Sequence, residues 1–153
     1  EAIKICRLMW TEEDPHFDGD FFQIAGAAAP PVVDQVPPIC IGTSGEQIGI
    51  PLAARQADIW NTVWRGDRDS LTKKRNIMLR ELERAGRSRD DVQFSLTIER
   101  ALPQTSGEVD EFGTLLGELV DDGIEHFVLD FGNPETADEA DLFIEQVMKP
   151  LRN

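Results

Sequence analysis

Pro38-Ile39-Cys40-Ile41-Gly42-Thr43-Ser44-Gly45-Glu46, followed shortly by Ala53-Ala54-Arg55-Gln56-Ala57-Asp58-Ile59-Trp60-Asn61, is the stretch on which the fold turns. A short apolar run enters a turn of small residues, crosses a helix and returns as a second apolar run. That is the unit of an α/β protein, and its turn offers backbone amides to an anionic group. After Pro37-Pro38, residues 39–43 read as a strand. Ser44-Gly45-Glu46-Gln47 has the Ser-x-x-Gln form of a capping box, which predicts a helix start there. Pro51 removes an amide from an interior turn, so with Gly49 it predicts a kink or short first turn before the helix resumes at Pro51. Residues 58–63 read as the second strand.

The same alternation continues downstream. Leu71, Ile77, Met78, Leu82 and Ala85 form a helical stripe over residues 68–85, stopped by Gly86. Val92, Phe94, Leu96 and Ile98 alternate with Gln93, Ser95, Thr97 and Glu99, a strand with one apolar face and one that tolerates water or a partner. Residues 108–122 carry Phe112, Leu115, Leu116, Leu119 and Val120 at helical spacing. Phe127, Leu129 and Phe131 alternate with His126, Val128 and Asp130 in a fourth strand, and residues 136–149 read as a last helix with Leu142, Phe143, Ile144 and Val147 inward. Strand and helix alternate four times, so the sheet is expected to be parallel with right-handed connections.

Upstream, Ile3, Ile5, Cys6 and Leu8-Met9 fall at near-helical spacing, yet no capping residue precedes Glu1-Ala2, which suggests a start inside an element. Asp18-Gly19 between aromatic residues predicts a hairpin-like insertion, and the Ala- and Pro-rich run after it an extended connection, the two together filling residues 10–38.

Composition narrows the function classes. A chain of 153 residues with 41% hydrophobic content fills one domain core. A net charge of -14 and a pI of 4.4 repel a polyphosphate duplex, and no basic stripe interleaves with aromatics, so nucleic acid is not an expected partner. The basic runs at Lys73-Lys74-Arg75 and Arg84 to Arg89 read as a solvated face or cations at a helix end. No apolar run reaches the roughly 20 residues of a membrane span and no leader pattern is seen, so a soluble, cytoplasmic protein is expected. Cys6 and Cys40 read as reduced core thiols. His16 has no metal-ligand companions at suitable spacing, and His126, low on its strand, reads as a core histidine.

Taken in order, several of these segments resemble the C-terminal half of the luciferase-like monooxygenases, and more particularly the deazaflavin-dependent (coenzyme F-420) oxidoreductases of that superfamily. They are Met9-Trp10-Thr11, Phe17-Asp18-Gly19-Asp20-Phe21-Phe22, Pro37 to Gly42, Ala53 to Asn61, and Leu79 to Ala85 with Gly86-Arg87. The resemblance implies a TIM (β/α)8 barrel, of which this single partial domain, 1–153, would supply strands five to eight, all parallel. It implies that the turn after strand five, Gly42, Thr43, Ser44 and Gly45, meets a cofactor phosphate. On the residues alone, Ser44 capping its helix with Gln47 stands as the other reading.

Substrate-side candidates at the strand tops are Asn61 and Arg65, Glu99 and Arg100, and Asp130 and Asn133, each with an ordinary structural alternative such as a surface ion pair or turn. The cofactor implied is coenzyme F-420 with hydride transfer at the barrel mouth, the alternative being FMN in a monooxygenase. The family's acid/base residues would come from the other half, so the catalytic residues are unknown and the chain alone is expected to be inactive. A third reading is a non-catalytic half-barrel subunit, because two open strand edges invite a second copy or a separate N-terminal half as partner.

Overall fold

The turn dipeptide Asp18-Gly19 joins two short strands, as the sequence predicts. In the computed structural model, which describes residues 1–27, 35–101, 103, 105–130, 141 and 143–149, β1 (His16–Asp18) pairs antiparallel with β2 (Gln23–Ala25). The loop between them is closed by Gly19 N–H donating to the Phe22 carbonyl at 2.9 Å. It is also pinned by the Glu1 carboxylate, which accepts from the amides of Asp20, Phe21 and Phe22 at 2.9, 3.0 and 3.0 Å. A Cβ on Gly19 would stand 2.5 Å from the Phe17 ring and 2.7 Å from the Glu1 carboxylate, so any side chain there would have to displace one of these two groups. With helix α1 (Ala2–Thr11) this hairpin makes one compact unit, Glu1–Ile39; the second unit is Cys40–Asn153.

The second unit is the predicted alternation. It runs β3 (Cys40–Gly42), α2 (Gly49–Gln56), β4 (Ile59–Val63), α3 (Arg68–Arg84), a 3₁₀ turn at Arg89–Asp91, β5 (Gln93–Glu99), α4 (Ser106–Asp121) and β6 (His126–Asp130). The described part of the last helix winds as a π-helix at Ile144–Met148, and residues 136–140 and Leu142 of its predicted span lie outside the described residues. All four strands are parallel in the order β3-β4-β5-β6. That order decides the architecture. Right-handed crossovers that always step the same way put every helix on the same face of the sheet, whereas a doubly wound sheet reverses direction and covers both. This is the α/β arrangement of a barrel arc.

Burial follows the pleat. Trp60, Phe94, Leu96 and Ile98 face the helices and are no more than 2% exposed, packed with Ile50, Ala53, Met78, Leu82, Phe112 and Leu119 in one core. Each of the larger of these side chains contributes about 1.5–3 kcal/mol by leaving water. Trp60 and Phe94 meet edge to face, with ring centroids 5.2 Å apart. On the opposite face Cys40, Gly42, Gln93, Glu99, His126, Val128 and Asp130 are exposed.

Two cysteines and two arginines depart from the expected arrangement. Cys6 and Cys40 are free, as expected, but both are exposed rather than in the core. The basic run past α3 is not merely a solvated face. Arg87 is half-buried and donates to the carbonyls of Ala54 at 3.0 Å and Ala57 at 2.8 Å, serving the C-terminus of α2 rather than that of its own helix. Arg89 lies 3.8 Å over the Phe94 ring, donates to the Val92 and Gly123 carbonyls and pairs with Glu125 at 2.9 Å. Both arginines hold the N-terminal side of the sheet, where loose carbonyls would otherwise be left unpaired.

Candidate functional site

The corner after β3 is built by two residues, Thr43 and Ser44, that use their side chains inward. Thr43 continues the ladder, its N–H donating to the Asn61 carbonyl at 2.8 Å, and its own carbonyl accepts from the Trp60 indole N–H at 3.0 Å. Its hydroxyl accepts from the Gly45 N–H at 3.1 Å, which folds the corner on itself. The Ser44 hydroxyl shares a 2.7 Å hydrogen bond with Thr62, a buried residue of β4. Ser44 therefore does not cap a helix with Gln47. Helix α2 begins five residues later at Gly49, with Ile48 at the cap position and no side-chain cap. In place of a kink or short first turn with the helix resuming at Pro51, the helix itself starts at Gly49 and accommodates Pro51 in its first turn.

Gly49 is there because Thr43 needs the room. A Cβ on Gly49 would lie 1.9 Å from the Thr43 hydroxyl oxygen. Gly42 is different: among the described residues nothing beyond its own chain neighbours lies within 4 Å of where its Cβ would stand, so its place on the uncovered face is open. Among the described residues the amides of Ser44, Glu46 and Gln47 have no partner, and the Glu46 carboxylate is held aside by Lys73 at 2.8 Å. A loop with free amides beside open space is the arrangement that takes an anionic group.

Below this corner, on the uncovered face, the strand register joins four side chains across β4, β5 and β6. Thr97 Oγ1 donates to Asn61 Oδ1 at 2.9 Å, Asn61 Nδ2 donates to Ser95 Oγ at 2.8 Å, and Ser95 Oγ lies 2.8 Å from His126 Nδ1. Ser95 is buried, Asn61 and Thr97 are half-buried, and His126 is exposed. His126 is thus bonded but is not a core histidine. Reading the sequence strand by strand singles out Asn61 and misses Ser95, Thr97 and His126 as its partners. Their inward alternation was visible, but the register that sets Asn61 opposite Ser95, and Ser95 opposite His126, was not.

The remaining candidates separate. Arg65, Glu99 and Arg100 line one cavity of about 410 Å³ with Trp64, Gly66, Ile98 and Leu115 at the C-terminal ends of β4 and β5. Arg100 lies 4.6 Å over the Phe112 ring and its N–H donates to the Asp130 carbonyl at 3.0 Å. Asp130 does not line this cavity; it is the register partner of Glu99 on the neighbouring strand. Asn133 lies outside the described residues. Partial desolvation pushes the Cys40 thiol up although the residue is exposed, which works against a nucleophilic role for it at neutral pH. Among the described residues no three His, Cys, Asp or Glu side chains are grouped to hold a metal, and no helix is long and apolar enough to cross a membrane.

Residues 1–111 match the family described as luciferase-like monooxygenase. Among solved structures, a coenzyme F-420-dependent secondary alcohol dehydrogenase in complex with an F-420-acetone adduct superposes with a TM-score of 0.77 at 18% identity, over 96% of this chain and 59% of its own. Monooxygenase RslO1 from Streptomyces bottropensis gives 0.67 at 17% identity, over 95% and 58%. The coenzyme F-420-dependent tetrahydromethanopterin reductase from Methanopyrus kandleri gives 0.57 at 13% identity, over 95% and 37%. At these identities the likeness is one of fold, and this chain spans less than two thirds of each of those chains. No curated protein matches it in sequence.

Proposed function

Because this chain belongs to the luciferase-like monooxygenase family, we propose that it forms the cofactor-holding C-terminal strands of a flavin-type oxidoreductase, with coenzyme F-420 against Gly42, Thr43, Ser44 and Gly45. The observation that carries this reading is the open space at Gly42 beside the unpartnered amides of Ser44, Glu46 and Gln47. A flat ring system lies over a residue without a side chain, and the anionic tail of the same molecule meets the amides. The corner fits such a group, because the inward hydrogen bonds of Thr43 and Ser44 hold it in shape before any ligand arrives.

Bound, the deazaflavin would supply a ring carbon that accepts or donates hydride. This chain's residues would orient. Asn61 offers its amide from the sheet face, and Arg65, Glu99 and Asp130 stand at the strand tops as substrate-side groups. Supporting the assignment, two of the similar structures are named for coenzyme F-420. A terminal phosphate fits the same corner, so FMN is the competing ligand of the test.

The experiment is a fluorescence titration of the chain with coenzyme F-420 and, separately, with FMN. Saturable F-420 binding that exceeds FMN binding at least tenfold is expected, together with its loss in Gly42→Leu, whose side chain enters open space and leaves the fold intact. Equal binding by Gly42→Leu and the parent would overturn the placement, and preference for FMN would overturn the cofactor. No turnover with any alcohol or other small organic substrate is expected from the chain alone.

A further inference from the structure

We propose that two copies of this chain pair through β6, antiparallel and about a two-fold axis at Val128. The strand reads His126-Phe127-Val128-Leu129-Asp130 and ends the sheet, with no strand beyond it among the described residues. The Asp130 carbonyl accepts from the Arg100 N–H at 3.0 Å, so residue 130 turns its backbone toward β5, and by the alternation of a strand residues 126 and 128 do the same. Phe127 and Leu129 therefore turn their N–H and C=O groups outward, a ready edge for another strand. It also lacks the usual defences of an edge. β6 contains no proline, lysine or arginine, whereas the opposite edge, β3, is three residues long and follows Pro37-Pro38.

The sequence of β6 is complementary to itself. With Val128 opposite Val128 of the second copy, Phe127 meets the second copy's Leu129, and the outward backbone groups of each exchange N–H···O=C bonds. His126 then meets Asp130 of the second copy, and the pair occurs twice. These are the non-hydrogen-bonded positions, where Cβ atoms stand about 4.5–5.5 Å apart and opposite charges attract. His126, Val128 and Asp130 are the exposed residues of the strand, all on the uncovered face. Ser95 Oγ lies 2.8 Å from His126 Nδ1, and Nε2 has no partner among the described residues. A carboxylate accepts more than one donor, so the pairing is compatible with the bonds Asp130 makes in its own chain. Sliding the register by two residues sets Asp130 against Val128 and loses both charge pairs. Sliding it by one turns Phe127 and Leu129 against residues of the wrong face. On the helix side an apolar cavity of about 280 Å³ lies beside β6, walled by Leu116, Val120, Phe127, Leu129, Phe143 and Met148. A two-fold axis normal to the sheet keeps the helices of both copies on that side, so the pairing brings the two apolar edges together.

This pairing does not rest on the cofactor reading, and it is tested without ligand. Sedimentation velocity of the 153-residue chain at physiological ionic strength, where the repulsion between copies of net charge -14 is screened, is expected to show a concentration-dependent dimer. His126→Asp, which sets like charges opposite each other, should weaken it about tenfold. The double variant His126→Asp with Asp130→His restores both pairs in reverse and should recover it. In a Cys6→Ser, Cys40→Ser background, needed because both native thiols are exposed, diamide should link Val128→Cys into a covalent dimer. It should not link Asp130→Cys, whose two copies would stand about 13 Å apart along the strands. A chain that stays monomeric overturns the proposal and leaves the edge to the parallel strand of a separate half-barrel. A dimer unmoved by His126→Asp, or one that Val128→Cys fails to link, overturns it in favour of another face.

Discussion

Thr43 and Gly49 compete for the same space at the corner, and their coupling has a sign that can be measured. Adding a methyl at Gly49 drives the Thr43 side chain from its place, because the new Cβ would stand 1.9 Å from its hydroxyl oxygen and 3.0 Å from its Cβ. Rotating Thr43 away relieves the clash but gives up the bond from the Gly45 amide. Gly49→Ala is thus expected to destabilise by about 1–3 kcal/mol, although alanine is ordinarily the better helix former by about 1 kcal/mol. In a Thr43→Ala background the same change should cost less, because the hydroxyl is gone and only the 3.0 Å approach to the remaining Cβ is left. Urea unfolding of the two single variants and the double variant decides it, since additive losses would mean that the two residues do not share the space. A second residue-scale expectation concerns Asp91. Its carboxyl is held below the ordinary range by the Ser88 backbone amide, then by the Ser88 side chain, with Arg87 helping. A depressed carboxyl stabilises the fold above its unfolded pKa and loses that contribution as pH falls through the folded value. Asp91→Asn should therefore be less stable than the parent at neutral pH and converge with it in acid. A gap that persists to acid pH would show that the loss is one of packing, not of charge.

Among the elements, capping shows where sequence reading reaches and where it stops. Ser44-x-x-Gln47 and Thr105-x-x-Glu108 have the same form, yet only the second is a capping box: Thr105 accepts from the Glu108 amide at 3.3 Å and Glu108 accepts from the Thr105 amide at 3.1 Å. The first fails because Thr62, eighteen residues on and brought alongside by the β3-β4 pairing, takes the Ser44 hydroxyl. A local pattern cannot reveal a non-local competitor. The strands were legible because Val92 to Glu99 alternates with period two against an uncovered face. The parallel order was legible from the regular alternation with helices. Register was not, and with it the side-chain chain from Thr97 to His126 stayed hidden, as did the service of Arg87 to a helix before it. Helix α4 was expected from residue 108 and starts at Ser106, since Thr105 closes it from outside. Thr105→Ala should cost about 1 kcal/mol. Ser44→Ala should leave the α2 amides as protected from hydrogen exchange as before, because that helix never relied on it. Faster exchange in α2 on losing the Ser44 hydroxyl would restore the capping reading.

For the molecule as a whole, charge and site pull in opposite directions. The chain carries 29 acidic against 15 basic residues, and between Arg7 and Arg55 there is no lysine or arginine at all. The proposed anion corner lies within that stretch, and Lys73, which reaches it from α3, is paired there with Glu46, so its attraction is expected to be short-range, made of amides, against a repulsive overall field. Salt acts on these two parts unequally: at 0.1 M the screening length is about 10 Å, which removes most of the repulsion from distant carboxylates and leaves amide contacts of hydrogen-bond length almost untouched. Sites that bind phosphate through lysine and arginine weaken as salt is added. This one is expected to strengthen, with the affinity for coenzyme F-420 or FMN rising roughly two- to fivefold between 10 mM and 150 mM salt as that repulsion is screened. The same screening should favour pairing of two acidic copies across the uncovered sheet face, so sedimentation must accompany each titration. If binding weakens steeply with salt, the ligand is held by cations rather than by the Thr43-Ser44 amides, and the arginines at the strand tops, Arg65 and Arg100, become the place to look.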